Sequence, residues 1–499
     1  MKVLLVNVPS RAYDRTPPLG LFYVAGILDR QSHQVKIVDI YLKDASLKSF
    51  SPSFIDDEIN SFMPDIIGFG GIVTSYSRAK ILSCHIRKKF PGIIKIAGGP
   101  LASVSPLLVE KAGIDVVFHG ECELSLPAWL QCIENKKPFG EIKGISFLRD
   151  GKAVRNQNME QVKNLDTIPF PPYEKIVSYA PYINESAPAR ISEVAKTAYN
   201  YPEVIRNFSK RIKNNPRYIE FISKRGCTHK CFFCYRHVQG IRSHSVDYVI
   251  EHMKLLRSLY NIGGFYFADE LFNHNKQWVM ELCEKIKKYF PDIFFIVCGA
   301  RVDMMDSEML DALKESGCIE ISYGQESGAD TVLNEYQKAV TVEQNFEVTR
   351  LTLEKGIFSP VQLVIGSPSE SPETVKQTIK FLKKLKVYTA SINYLLPLPE
   401  TPSWQYAMSH NLIKDIERYL EDVVEFGAGY PYVNLTKYPE KTFSTWVGMI
   451  GVKLNALYWK RKRKWIRFFI EDIKFFILWR FPSFYKLLSR LKKFIKRGF

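Results

Sequence analysis

Three cysteines in one short loop are the residues of this chain best suited to chemistry. Cys227, Cys231 and Cys234 have CxxxCxxC spacing and follow a short apolar run. Three thiolates this close together can hold three irons of a four-iron cluster and leave the fourth iron open to a small molecule. A structural zinc site is the alternative, and its fourth ligand would be His229 or His237. The spacing alone leaves both readings open.

A second set of candidate residues lies further along, in residues 218–405. Apolar runs alternate there with helical segments, so these residues fall where the strands of a parallel sheet end. Catalytic groups of βα barrels lie at that edge. The set consists of Phe233, Asp269, Glu270, Arg301, Gly324, Glu326 and Gly366.

Glycine-rich turns follow the apolar runs of residues 1–140. A backbone without Cβ atoms lets a large flat ligand approach, and ligands of parallel sheets bind at the carboxyl ends of the strands. A single tight turn would also need glycine, whereas several turns at one edge indicate a binding surface. The candidates are Pro18, Leu19, Gly20, Gly71, Thr74, Ser75, Gly98, Gly99, Pro100, Gly120 and Glu121. Neither GxGxxG nor GxxxxGK[ST] occurs, which argues against a dinucleotide or a nucleoside triphosphate.

The elements that position these residues indicate an α/β protein. Residues 1–140 predict a Rossmann-like (flavodoxin-like) parallel sheet, because continuous apolar strands alternate with helices. Residues 141–217 predict a connecting region. Residues 218–405 predict a six-stranded partial TIM-type βα barrel, since eight βα units would need about 250 residues. Residues 406–499 predict a cover over the barrel and a helical, basic tail. The expected strands are Val3–Val8, Val35–Ile40, Asp65–Gly71, Ile94–Ala97, Val116–Phe118, Tyr218–Ser223, Gly264–Ala268, Phe294–Cys298, Ile319–Tyr323, Ser359–Ile365 and Thr389–Leu395.

Composition narrows the class of protein. The chain is 46% hydrophobic and 24% charged, as globular proteins are. Six cysteines outside the loop are scattered singly, which favours a reducing cytoplasm over a disulfide framework. No run of 18 uncharged apolar residues exists, so we expect no membrane span.

The net charge of +17 is concentrated in the tail. From Lys460 onward there are 14 Lys or Arg and two acidic residues. One helix is expected at Trp465–Trp479 and a second after Pro482. Basic amphipathic helices lie in anionic membrane interfaces. The alternatives are packing against the barrel and, less favoured, RNA binding. In the second helix the apolar face is Leu487, Leu488, Leu491, Phe494 and Ile495, and the basic face is Lys486, Arg490, Lys493 and Arg497.

The chain resembles the cobalamin-binding-domain-containing radical S-adenosylmethionine (SAM) enzymes, in their methyltransferase-like branch. The resemblance rests on the cysteine motif with Phe233 before its last cysteine, and on PPLG, GGP and HGE in the preceding domain. It covers residues 1–405. It implies that the cysteines ligate a four-iron four-sulfur cluster, that the open iron chelates SAM, and that the glycine-rich edge binds cobalamin.

The resemblance also implies contacts for SAM. They are Phe233 and Gly366 at the adenine, Asp269 or Glu270 at the amino group, and Arg301 and Glu326, next to Gly324, at the ribose or carboxylate. Two features depart from the family pattern. The loop after the first strand holds no histidine, which implies cobalt bound without a protein histidine, and Glu400 stands where the family often has glycine.

The implied activity is methylation of an unactivated carbon of a small or lipid-like substrate. One alternative keeps the cofactors and performs cyclisation, rearrangement or oxidation without methyl transfer. An alternative of another class is a zinc-stabilised binding protein at the membrane surface. The implied electron donor is a flavodoxin or ferredoxin, nucleic acid is not an expected partner, and the expected location is the cytoplasm, at the inner face of the membrane.

Overall fold

The computed structural model describes residues 1–10, 17–40, 50–173, 182–183 and 186–480, with side chains at 424–427 and 477–480 left out. The tail helix that the sequence predicts after Pro482 lies outside the described residues. Among the described residues, no helix combines the length and the apolar character needed to cross a membrane.

The N-terminal part of the chain forms a seven-stranded sheet in the order β2-β1-β3-β4-β5-β6-β7. The first five strands are parallel and follow the flavodoxin-like order. The last two form an antiparallel hairpin that extends the sheet past residue 140. The strands are Lys2–Asn7 (β1), Gln34–Asp39 (β2), Ile66–Gly70 (β3), Ile94–Gly98 (β4), Val116–Phe118 (β5), Ile145–Arg149 (β6) and Lys152–Arg155 (β7).

Both faces of this sheet are buried. In β1, Val3 and Leu5 pack into one core, while Leu4 and Val6 pack into the core on the opposite face. This explains the continuous apolar run, because a parallel strand covered on both sides has no polar face. The helices of this part are Leu19–Arg30, Asp56–Phe62, Tyr76–Lys89, Ser105–Glu110 and Ser125–Glu134.

A second sheet confirms the predicted partial barrel. Its six strands are all parallel, in the order β15-β14-β13-β12-β11-β8, and a separate two-stranded ribbon follows the first strand. The strands are Tyr218–Phe221 (β8), Lys224–Gly226 (β9) and Ile241–Ser243 (β10) of the ribbon, Gly264–Phe267 (β11), Phe294–Ala300 (β12), Cys318–Glu326 (β13), Val361–Ile365 (β14) and Ser391–Tyr394 (β15).

Helices of the barrel begin where the sequence supplies a side-chain cap. An oxygen of each cap residue accepts a hydrogen bond from a backbone N–H of the first turn, which satisfies a donor that has no partner inside the helix. The caps are Ser245, Asn275, Asp306, Thr341, Ser371 and Thr401. The helices are Val246–Tyr260, Lys276–Tyr289, Ser307–Ser316, Asp330–Glu335, Val342–Glu354, Pro372–Lys384 and Pro402–Ser409, preceded by Ala187–Thr197 and Pro202–Ile212.

The C-terminal region contacts both halves of the molecule. Glu417 accepts hydrogen bonds from Tyr76, Lys80 and Lys111 of the N-terminal half, at 2.5 to 2.8 Å. The hydrogen bonds from Lys111 and Lys80 lower the pKa of Glu417 to about 2. The helices of this region are Ile416–Phe426, Glu440–Phe443, Trp446–Arg461 and Trp465–Arg480.

Candidate functional site

A cavity of about 500 Å³ lies between the two sheets. The carboxyl ends of β1, β3, β4 and β5 form one side of it, which is where parallel sheets bind ligands. The loops after β8 and β11 form the other side, directly ahead of the cysteine loop. Ten of the eleven residues predicted at the glycine-rich edge line this cavity; the eleventh, Thr74, is buried and does not line it.

The edge of the N-terminal sheet needs glycine for two physical reasons. Gly99 and Gly120 have φ of +72° and +64°, a region that side chains with a Cβ adopt rarely. At Gly70 a Cβ would lie 2.5 Å from the Leu21 side chain, and at Gly71 it would lie 2.9 Å from Ser75 Oγ. The backbone at these glycines therefore carries no side chain, and a ligand can approach it.

Glu121 lines the cavity, but arginines of the barrel half occupy its carboxylate. Arg242 donates two hydrogen bonds to it, at 2.7 and 2.9 Å, and Arg225 donates one at 3.2 Å. Arg225 also donates to Glu123, at 2.6 Å. Burial opposes the effect, but these arginines lower the pKa of Glu121 below its ordinary value. The cluster ties the β5 loop to both strands of the ribbon, one before and one after the cysteines, so Glu121 fixes the cavity wall.

The cavity wall also contains a histidine that the sequence did not assign to cobalamin. Among the described lining residues His237 is the one histidine, and it comes from the barrel half, three residues after Cys234. Its Nδ1 atom is buried without a hydrogen-bond partner. Burial lowers its pKa below the ordinary value, so the ring is neutral and its Nδ1 is available to a bound group. His119, by contrast, contacts Ser146 Oγ at 2.7 Å and does not line the cavity.

Asp269 holds the chain that leads into the cysteine loop. Its carboxylate accepts hydrogen bonds from the Ser223 N–H at 2.7 Å, the Ser223 hydroxyl at 2.5 Å and the Lys224 N–H at 3.0 Å. The side chain is buried, and burial raises its pKa. The Asp269 carboxylate is thus already hydrogen-bonded within the protein. Of the two acids predicted to accept from the SAM amino group, it is the less available.

Glu270 is the available acid of that pair. Its side chain lines the cavity and makes no hydrogen bond or ion pair with another described residue. Glu270 is exposed by surface area, yet the protein around its carboxyl group, and then the neighbouring Asp269, raises the pKa of that group above its ordinary value. Gly299 allows the backbone carbonyls of Asp269 and Glu270 to approach β12, since a Cβ at Gly299 would lie 2.1 Å from the first of them.

The three loop cysteines are free thiols in a positively charged setting. The hydrogen bond from the Cys234 thiol, with the nearby charges of Lys338 and Arg301, lowers the pKa of Cys231, and the same hydrogen bond raises the pKa of Cys234. Burial raises the pKa of Cys227. Across the described ranges no three His, Cys, Asp or Glu side chains are grouped closely enough to hold a single metal ion. A four-iron cluster does not need such convergence, because each thiolate binds a different iron.

Two of the predicted SAM contacts are engaged in buried ion pairs. Arg301 donates to both oxygens of Asp303, at 2.8 and 3.0 Å, and to the carbonyl of Lys338. Glu326 accepts from Lys338 Nζ at 3.0 Å and has φ of +60°. Lys338 was not among the residues predicted from the sequence; it lies 12 residues from Glu326. Both pairs place positive charge beside the cysteine loop.

The remaining predicted contacts, Phe233, Gly324 and Gly366, have different neighbours. Phe233 packs edge-on against Tyr336, with ring centroids 5.2 Å apart. A Cβ at Gly324 would lie 2.2 Å from Glu326 Oε1, so glycine there makes room for the ion pair. Gly366 has φ of +120°, and a Cβ on it would lie 3.1 Å from Phe443 of the C-terminal region.

These residues fit the cofactors that the sequence suggests. The glycines of this edge let a corrin ring approach the backbone, and the Nδ1 of His237, which has no partner, could pair with one of the amide groups at the ring periphery. Cys227, Cys231 and Cys234 are soft ligands suited to iron–sulfur clusters. The carboxylate of Glu270 is free to accept from an ammonium group.

Two family models match the chain in this order. The B12 binding domain matches residues 6–130, and the Radical SAM superfamily matches residues 221–382. The first range covers the end of β1 and the other four parallel strands of the N-terminal sheet, and the second covers the cysteine loop and most of the partial barrel. The matches agree with the resemblance drawn from the motifs, and with its cofactors.

Known proteins with the same arrangement are similar along most of their length. An uncharacterized methyltransferase of Pyrococcus horikoshii is 28% identical over 424 residues, covering 83% of this chain and 84% of that protein. The anaerobic magnesium-protoporphyrin IX monomethyl ester cyclase of Cereibacter sphaeroides is 25% identical over 495 residues, covering 97% and 72%. The cobalamin-dependent SAM radical enzyme OxsB, solved with aqua-cobalamin bound, has the same fold, with a TM-score of 0.65 and 19% identity over 99% of this chain and 75% of that chain. The chain belongs to the cobalamin-dependent radical SAM enzymes.

Proposed function

We propose that this enzyme methylates an unactivated carbon of a small or lipid-like substrate. The observation that supports this is the shared cavity, which is lined on one side by the glycine-rich edge of the B12-binding domain and on the other by the residues that lead into the cysteine loop. A methyl carrier and a radical source that open onto one space can act in turn on one carbon atom. When bound, cobalamin carries the methyl group, and the cluster supplies the electron that cleaves SAM.

The protein's own residues bind and orient in this proposal. Glu270 accepts from the ammonium group of SAM, and the buried Asp269 fixes the backbone from which the cysteine loop starts. Arg301 and Lys338 place positive charge next to the thiolates, which favours their ionised form. Glu121, with Arg225 and Arg242, closes the side of the cavity and keeps water out.

Product stoichiometry tests methyl transfer. The protein would be purified anaerobically, its cluster reconstituted, and cobalamin, SAM and a reductant supplied with candidate substrates. The proposal requires one S-adenosylhomocysteine, in addition to methionine and 5′-deoxyadenosine, for each methylated product. A converted substrate without S-adenosylhomocysteine would reject methyl transfer.

The second candidate is a cyclisation, rearrangement or oxidation with the same cofactors. The similarity to the cyclase of Cereibacter sphaeroides over 97% of this chain favours it. Such a reaction yields methionine and 5′-deoxyadenosine alone, so the same assay separates the two candidates.

The electron donor and the location complete the proposal. A flavodoxin or ferredoxin would reduce the cluster, and bleaching of the cluster's visible absorbance on adding either reduced protein tests this. The location is the cytoplasm, at the inner face of the membrane, where the basic C-terminal region would meet anionic lipid.

A further inference from the structure

The helix Trp465–Arg480 carries large apolar side chains on the side that faces away from the protein. On its side toward the preceding helix, Trp446–Arg461, Asp472 forms an ion pair with Lys453 at 2.8 Å, and Phe475 packs against the core beside it. Glu471 pairs with Lys474 at 2.5 Å and is only partly exposed. A surface helix ordinarily turns its acids to solvent and its apolar residues to the protein.

The outward side of the same helix is apolar. Six large apolar side chains there are 47% to 79% exposed, and they make up six of the sixteen exposed large apolar residues in the described part of the chain. Their spacing puts them along one side of the helix. A contiguous exposed apolar surface of this kind marks an interaction site. The six residues are Trp465, Ile466, Phe469, Ile470, Ile473 and Phe476, and we call them the outward face.

Positive charge surrounds the outward face. Five consecutive basic residues, Lys460 to Lys464, lead into the helix, and Arg467 follows within its first turn. Arg461 to Lys464 and Arg467 are exposed. The two acids of the helix are paired with lysines, so they subtract little from this charge. A partner that binds this surface must therefore be apolar where it contacts the outward face and anionic where it contacts the surrounding basic residues.

We propose that the outward face lies in the plane of an anionic phospholipid bilayer. Its apolar side chains enter the boundary between headgroups and acyl chains, and the basic run pairs with anionic headgroups. A bilayer surface combines the apolar layer and the negative rim that the helix matches. The other possible occupants are a second copy of the protein or RNA, and each makes a different prediction below.

This geometry would fix the orientation of the enzyme on the membrane. The helix Trp446–Arg461, on which the outward face is mounted, packs against β15 and against the helix Pro372–Lys384. The partial barrel, rather than the B12-binding domain, is then the half nearer to the lipid. The inference deepens the proposed location and does not depend on methyl transfer.

Sedimentation with vesicles tests the inference on the full-length protein loaded with both cofactors. The vesicles are phosphatidylcholine alone or phosphatidylcholine mixed with phosphatidylglycerol. The test variant changes Ile466→Ser, Phe469→Ser and Ile473→Ser. The matched control changes Met63→Ser, Leu148→Ser and Leu412→Ser, which are also exposed apolar residues but lie outside the tail. Unchanged cluster and cobalamin spectra show that each variant is folded.

The expected result is that wild type and control pellet with anionic vesicles. The test variant should bind these vesicles at least about tenfold more weakly than wild type. Wild type that does not pellet with anionic vesicles would overturn the inference, and so would a test variant that pellets as wild type does. Binding of RNA or self-association that the test variant loses, without vesicle binding by wild type, would assign the face to those partners instead. The cofactor spectra are recorded without substrate, so a failure here is separable from a failure of the proposed reaction.

Discussion

The two sides of the cavity differ in the part of the chain that forms the site. On the B12-binding side the site is made of backbone, and ten of its eleven predicted residues line one cavity. On the radical SAM side the site is made of charged side chains, and three of them, Asp269, Arg301 and Glu326, are already paired inside the protein.

The difference follows from what a sequence records. A glycine at a strand end is selected by local geometry, such as the positive φ of Gly99, and that geometry is visible from the spacing of turns. A charged side chain finds its partner through the tertiary fold. Lys338 reaches Glu326 across a helix and a turn, and no local pattern indicates this pair. Side-chain sites can therefore be located from sequence, but their working residues cannot be separated from their supporting ones.

Replacing Cys227, Cys231 and Cys234 together by Ala has the largest expected effect. The protein should lose all of about four irons and all radical chemistry, because we propose that these three thiolates hold the cluster. Cobalt content should be unchanged, since the cobalamin edge uses none of them. Metal analysis after reconstitution measures both. Cys132→Ala, at a scattered cysteine, is the control and should keep the iron; bound zinc in wild type without iron would contradict the assignment.

Gly99→Val should have the complementary effect, loss of cobalt with iron retained. The new side chain would project from the cavity edge and would force valine to a φ near +72°. Gly151→Val is a matched control, because Gly151 has φ of +77°, a Cβ on it would meet no atom within 4 Å, and it does not line the cavity. Cobalamin binding followed by its visible spectrum decides the matter. Equal loss of cobalt in both variants would mean that backbone strain, and not the edge, is responsible.

The fold could be predicted from the sequence because strong local patterns indicate it. Continuous apolar strands fixed two parallel sheets, and the count of βα units fixed an incomplete barrel. The sequence predicts a connecting region over residues 141–217, but the hairpin β6–β7 lies at its start and pairs with β5, and this pairing depends on tertiary contact. His237 was noticed for its nearness to the cysteines and considered for zinc, whereas its position in the cavity wall depends on how the two halves pack.

Asp269→Asn tests whether Asp269 supports the fold while its neighbour Glu270 binds SAM. The variant weakens three hydrogen bonds to a buried carboxylate, so we expect it to lower the free energy of unfolding by about 3 kcal/mol. Urea unfolding of the reconstituted protein measures this. Glu270→Gln should leave the unfolding midpoint in place. An Asp269→Asn protein of normal stability that fails to bind SAM would reverse the two roles.

Glu270→Gln should weaken SAM binding by about 2 kcal/mol, or roughly thirtyfold in Kd. The effect should depend on pH. Burial and Asp269 raise the pKa of Glu270, so in wild type the carboxyl group takes up a proton at a higher pH than an ordinary glutamate, and SAM affinity falls as the pH falls through that range. Equilibrium dialysis of SAM across this range gives the profile. The Gln variant should show a flat profile there, and a wild-type profile that is also flat would remove Glu270 from the SAM site.

The smallest expected effect lies where the two sides meet, at His237. If its buried Nδ1 pairs with an amide of bound cobalamin, His237→Ala should cost about 1 kcal/mol, or roughly fivefold in cobalamin Kd. Asn and Gln separate position from chemistry, because the amide of Asn reaches the place of Nδ1 and the amide of Gln reaches toward Nε2. His237→Asn should therefore restore most of the affinity, and His237→Gln should not. Titration of cobalamin by its visible spectrum, with iron content as the check on the nearby cysteine loop, measures this. Equal affinity in all three variants would leave the cobalamin site to the backbone edge alone, which would make the contrast between the two sides of the cavity complete.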